Sequence, residues 1–150
     1  MKYVHTNLIA ADWKKVANFY IEVFNCTLKT SERNLKGETL SKAVGVDKAI
    51  ITGVHLTLPG YGVNGPTLEI FQYSQNKKNT IPNSSNLEGF RHIAFEVDDI
   101  YELIKKAISF GGELVGEVAE LQINEKKLIY VYLKDPEGNI IELQKWKRNG

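Results

Sequence analysis

The sequence predicts an α+β fold built from one strand–helix–strand–strand–strand module written twice. His5 and His92 each open a strand-like run, and each is followed seven residues later by an aspartate, Asp12 or Asp99, that begins a run of helical period. Each half then closes on a strand with one glutamate between apolar neighbours, Leu68-Glu69-Ile70 and Ile141-Glu142-Leu143. Between the halves, residues 74–89 are polar, contain Pro82 and paired serines, and have no hydrophobic period. We therefore expect a single domain over 1–150, made of two βαβββ modules at about 1–73 and 90–148 joined by that linker. The modules should form a curved mixed sheet with the helices on its outer face.

Residues 3–10 alternate as a strand with one polar-bearing face. Asp12 is a good N-cap, and Val16, Phe19, Tyr20, Val23 and Phe24 recur at helical spacing behind it. A short strand around Thr27–Thr30 should follow. Residues 31–48 are polar, with Gly37, Gly45 and a Leu40–Val44 stretch suited to a helical turn. They read as an insertion, because the stretch from His5 to Glu69 exceeds that from His92 to Glu142 by about this size. Strands near 49–58 and 66–73 complete the first module, separated by Pro59-Gly60-Tyr61-Gly62. The second repeats the order with a strand at 91–97 and a helix at 99–110 stopped by Gly111-Gly112. Strands near 113–119, 127–134 and 139–146 follow, the last two joined by an Asp135-Pro136-Glu137-Gly138 turn.

The 43% hydrophobic content supplies a real core, and a formal charge of +1 with mixed signs gives no reason to expect a nucleic-acid or membrane partner. The basic cluster Lys145-Trp146-Lys147-Arg148 reads as a solvated tail. The lone cysteine, Cys26, excludes an intrachain disulfide and reads as a buried, inert thiol in a reducing compartment. With no apolar leader and no span-length apolar run, the expectation is a cytoplasmic protein.

Alternation along the strands assigns faces. Leu68 and Ile70 oppose Glu69, Phe71 and Tyr73; Ile141 and Leu143 oppose Glu142; Ile93 and Phe95 oppose His92. The apolar sides should receive the helices. The other sides, with both histidines and both glutamates, should line the concave sheet, together with Tyr130, Tyr132 and His55. A carboxylate on a half-buried strand is costly unless paired or metal-bound. Two beside two histidines point to a cation shared between the modules, with His5, Glu69, His92 and Glu142 as ligands. Zinc, nickel, cobalt and manganese suit such a set, with iron(II) ranked below them. His55, Phe71, Tyr73, Tyr130 and Tyr132 would form the substrate pocket, and Arg91, beside His92, is a candidate contact for an anionic substrate.

Five stretches together resemble the vicinal-oxygen-chelate superfamily of glyoxalases, bleomycin-resistance proteins and extradiol dioxygenases. They are His5-Thr6 through Asp12; Phe19-Tyr20-Ile21-Glu22-Val23-Phe24; Gly65-Pro66-Thr67-Leu68-Glu69; Gly89-Phe90-Arg91-His92 through Asp99; and Asp135-Pro136-Glu137-Gly138-Asn139-Ile140-Ile141-Glu142. The resemblance implies paired modules curled around a metal held by His5, Glu69, His92 and Glu142, a full set similar to that of glyoxalase I. Extradiol dioxygenases and fosfomycin-modifying members lack a ligand at the Glu69 position. The segment Ile70-Phe71-Gln72-Tyr73 departs from the asparagine-containing run of glutathione-binding members, so the thiol is left open.

The function expected is that of a metal-dependent lyase or isomerase acting on a small substrate with adjacent oxygens, through proton transfer and a metal-stabilised enediolate. Glu142 or Glu69 would move the proton, with Glu142 favoured. The alternatives are an epimerase, an extradiol dioxygenase or thiol transferase of the same superfamily, and a non-catalytic drug- or ligand-binding module. Partners are a small-molecule substrate and a second copy of the chain, with the metal site either within one chain or across a dimer.

Overall fold

A computed structural model describes residues 1–148 and resolves two compact units, Met1–Asn79 and a second beginning at Thr80. The fold is α+β. In the first unit the order is β1 (His5–Ile9), α1 (Trp13–Phe24), β2 (Thr27–Leu28), β3 (Arg33–Lys36), α2 (Glu38–Val44), β4 (Ile50–Thr57) and β5 (Thr67–Tyr73). In the second it is β6 (His92–Glu96), α3 (Ile100–Ser109), β7 (Glu113–Leu114), β8 (Ala119–Ile123), β9 (Lys126–Lys134) and β10 (Ile140–Arg148).

Each unit has its own mixed five-stranded sheet, ordered β1-β5-β4-β2 and β6-β10-β9-β7, with β3 and β8 also pairing β4 and β9. The opening strand runs parallel to the closing one in both; the remaining pairs are antiparallel. Two details differ from the sequence reading. The second strand of each module is two short pieces, β2 with β3 and β7 with β8. Segment 31–48 is therefore not all insertion: β3 has its counterpart in β8, and the added element is α2.

The helices form where the caps predict. Asp12 accepts from the Lys14 and Lys15 amides at 3.1 Å, and Asp99 from Glu102 at 3.0 Å. Asn25 closes α1 in the left-handed region, φ 55°. After α3, Gly111 turns at φ 88° and the Gly112 amide donates to Ala107 O at 2.8 Å. Val16, Phe19, Tyr20 and Val23 of α1 pack on β4 and β5, burying Val54, Leu56, Leu68 and Ile70. Ile100, Ile104 and Ala107 of α3 cover the sheet of Val131, Leu133, Ile141 and Leu143. Each such side chain contributes about 1.5–3 kcal/mol of apolar burial.

Cys26 is 1% exposed, and burial pushes its thiol up to about 12. At pH 8 it is therefore uncharged, and the thiolate is the nucleophile. Iodoacetamide should leave the native protein unlabelled and label it in denaturant; stoichiometric native labelling would contradict the burial.

Candidate functional site

Helix packing on one face of each sheet leaves the other face for the polar residues, and strand register decides which of them meet. In the first unit Asn7 and His55 stand on either side of Glu69, opposite it on β1 and β4. The Glu69 side chain is 12% exposed and is held on both oxygens. His5 Nε2 lies 3.3 Å and Asn7 Nδ2 3.2 Å from Oε2, while His55 Nε2 lies 3.0 Å from Oε1. Burial pulls the His55 imidazole below its ordinary pKa. The Glu69 charge opposes that shift, while Arg33, His5 and Lys29 reinforce it. His55 is thus neutral at pH 7, and its contact with Glu69 is an Nε2–H donation to a carboxylate. The Phe71 ring meets the His55 edge at 5.5 Å between centroids.

The second unit repeats this lattice. His5 pairs with Thr67, two residues before Glu69, and His92 pairs with Ile140, two residues before Glu142. His92 Nε2 is 3.2 Å from Glu142 Oε2. Tyr132, opposite Glu142 as His55 is opposite Glu69, donates its hydroxyl to the same Oε2 at 3.2 Å. Burial, then the Glu142 charge, raises the Tyr132 phenol, which stays a donor. Tyr132 also contacts the His92 and Tyr130 rings edge-on. The halves differ in one respect. Among the described residues nothing hydrogen-bonds Glu142 Oε1, whereas both Glu69 oxygens are engaged.

The structure thus joins His5 to Glu69 and His92 to Glu142, with Phe71 and His55 beside the first pair and Tyr130 and Tyr132 beside the second. Tyr73 lies farther along the Glu69 face, opposite Ile51. Trp146 lines an open depression with Glu96, Ile123 and Lys126. Arg91 is engaged with Asn83 of the linker at 3.1 Å. Asn7 and Arg33 were not singled out from sequence; their partners come from strand pairing, and no local pattern marks them.

Two ligands of one transition-metal ion, each at about 2.0–2.2 Å with a 90–109° angle between them, stand about 2.8–3.5 Å apart. Both His–Glu pairs fall in that range, and imidazole with carboxylate is a donor set such ions take. Among the described residues no group of three or more His, Cys, Asp or Glu is arranged to hold an ion. Each unit by itself presents a pair that fits as adjacent ligands. No helix is long and apolar enough to cross a membrane.

Residues 2–143 match the family model of the glyoxalase/bleomycin resistance protein/dioxygenase superfamily. No curated protein sequence matches the chain. Among solved structures it is similar to a glyoxalase family protein from Bacillus cereus (TM-score 0.74, 22% identity, covering 97% of this chain and 93% of that one). It also resembles the trypanothione-dependent glyoxalase I of Leishmania major (0.59, 20%, 97% and 86%) and a glyoxalase I variant of Zea mays (0.60, 19%, 95% and 44%). At these identities the likenesses concern the fold.

Proposed function

The chain belongs to the glyoxalase/bleomycin resistance protein/dioxygenase superfamily, and on that premise we propose a divalent-metal-dependent, glyoxalase-like lyase or isomerase for small substrates with adjacent oxygens. The observation that carries the reading is the recurrence of one His–Glu pair at the same register in both sheets, with nearly equal separations of 3.3 and 3.2 Å. Gene duplication accounts for the repeated strands; it does not by itself keep a half-buried carboxylate against a histidine twice.

In this reading His5, Glu69, His92 and Glu142 hold the ion, with nickel, cobalt, zinc or manganese as suitable occupants. A bound metal supplies Lewis acidity at a substrate carbonyl, which makes the neighbouring C–H more acidic by several kcal/mol. Glu142 is the base. Its Oε2 accepts from the Tyr132 hydroxyl, and its Oε1, without a partner among the described residues, is open to take the proton from one carbon and return it to the next. Glu69 is the anchoring carboxylate, kept in one orientation by Asn7 and His55. Phe71, His55 and Tyr73 on one face, and Tyr130 and Tyr132 on the other, wall the substrate. The active form is a homodimer.

A second reading has its own support. Glu69 already has three protein partners, so the pairs can stand as internal hydrogen bonds in a ligand-binding module. Elemental analysis of the untagged protein, with Glu69→Ala and His92→Ala beside it, separates the two. The enzyme reading expects a stoichiometric transition metal lost in both variants. If no metal is present on purification and none is retained after nickel, cobalt, zinc or manganese is offered, the binding module is the better account.

A further inference from the structure

The face of the first sheet that carries Glu69 also carries a cation that no described residue answers with a hydrogen bond or an ion pair. Arg33 on β3 pairs with Gly53 on β4, and Gly53 pairs in turn with Phe71 on β5. Residues opposite one another on paired strands project to the same side, so Arg33 shares the face of His55, Phe71 and Glu69. The Arg33 Nε is buried without a hydrogen-bond partner, and no carboxylate among the described residues forms an ion pair with this guanidinium. Such orphaned donors are rare, and each costs about 1–3 kcal/mol. Glu69, the buried carboxylate of this face, is already engaged by His5, Asn7 and His55. Lys29 adds a second cation near His55, so positive charge exceeds negative here. The Phe71 ring leans over Gly53, its Cδ1 within 2.7 Å of where a Cβ would stand, and sets an apolar surface in the same row as the guanidinium.

We propose that Arg33, backed by Lys29, binds an oxyanion carried by the ligand, a carboxylate or a phosphate, with Phe71 against the ligand's apolar part. This names the substrate class for the face described above; it rests on that face being the ligand-binding one and not on the metal. Nε and one Nη of a guanidinium form a parallel pair of donors matched to two oxygens of a carboxylate or phosphate. In this structure the Nε is closed to water as well as unpartnered, so the Arg33 side chain must turn to present it, and the bond it then makes to a ligand oxygen replaces one left unmade by folding.

The test is calorimetric titration of benzoate, phenyl phosphate and benzyl alcohol into the protein, Arg33→Met and Arg33→Lys, with metal content measured on the same samples. Arg33→Met should raise the Kd of the bound anion roughly 10- to 100-fold. Arg33→Lys should fall between, because it keeps the charge and loses the fork. Benzyl alcohol should bind all three equally, which also reports an intact pocket. The tighter of benzoate and phenyl phosphate identifies the group as carboxylate or phosphate. Equal anion affinity in the protein and Arg33→Met, or no anion binding at all, overturns the assignment. Arg33-dependent anion binding in a protein that takes no metal would sink the catalytic reading and leave this one standing. Stoichiometric metal with Arg33-independent binding would do the reverse.

Discussion

Glu142→Gln is expected to leave the fold intact and to lower turnover by about 10²–10⁴-fold. Glutamine keeps the shape of the side chain and a carbonyl oxygen for the Tyr132 hydroxyl, which donates to Glu142 at 3.2 Å. It cannot accept a proton. The assay is conversion of dicarbonyl–thiol adducts at saturating metal, with bound metal measured in parallel, because Glu142 is also proposed as a ligand. Glu69→Gln is the control that makes the result specific. Both Glu69 oxygens are engaged, so the change should weaken metal retention more than it changes turnover of the loaded protein. Unchanged turnover in Glu142→Gln would remove the base assignment. Equal losses in both variants at full metal occupancy would remove the proposed division of roles.

The second large effect concerns the floor of the first site. Gly53 has φ 151°, and a Cβ placed there would sit 2.1 Å from Ile70 O and 2.7 Å from Phe71 Cδ1. Gly53→Ala should therefore destabilise the protein by about 3 kcal/mol or more, since both a strained backbone conformation and a steric overlap with main-chain atoms must be relieved. A chemical-denaturation midpoint unchanged from wild type would show that the strand accommodates a side chain. The position also bears on function. Gly53 lies two residues from His55 on the same face and between Arg33 and Phe71, so relief of the clash would shift residues of the proposed ligand site.

The duplicated plan was legible in the chain because its signals are local. A histidine opens a strand, a capping aspartate follows at the same offset, and a glutamate sits between apolar neighbours on the closing strand. Caps, glycines and strand alternation depend on a few consecutive residues, and they placed α1, α3, β4, β5, β9 and β10 within a few positions of where they lie. The face assignment followed from the same period of two, and Leu68, Ile70, Ile141 and Leu143 are each at most 1% exposed under the helices. The broken second strands were less legible. Two-residue β2 and β7 are too short to show a period and exist because β4 and β9 offer them an edge.

By itself, then, the sequence determined the two-module α+β plan, the repeated His–Glu signature and the side of the sheet on which it stands, since each depends on near neighbours in the chain. Tertiary structure alone decided what meets what. Register brings Asn7 and His55, from strands far apart in sequence, against Glu69, while the equivalent place beside Glu142 is filled by Tyr132. That difference leaves one glutamate held on both oxygens and the other with one oxygen that has no partner among the described residues. Pairing of β3 with β4 likewise brings Arg33 onto the same face. Register is a cooperative property of whole strands, and a slip of one residue would turn each of these side chains to the opposite face.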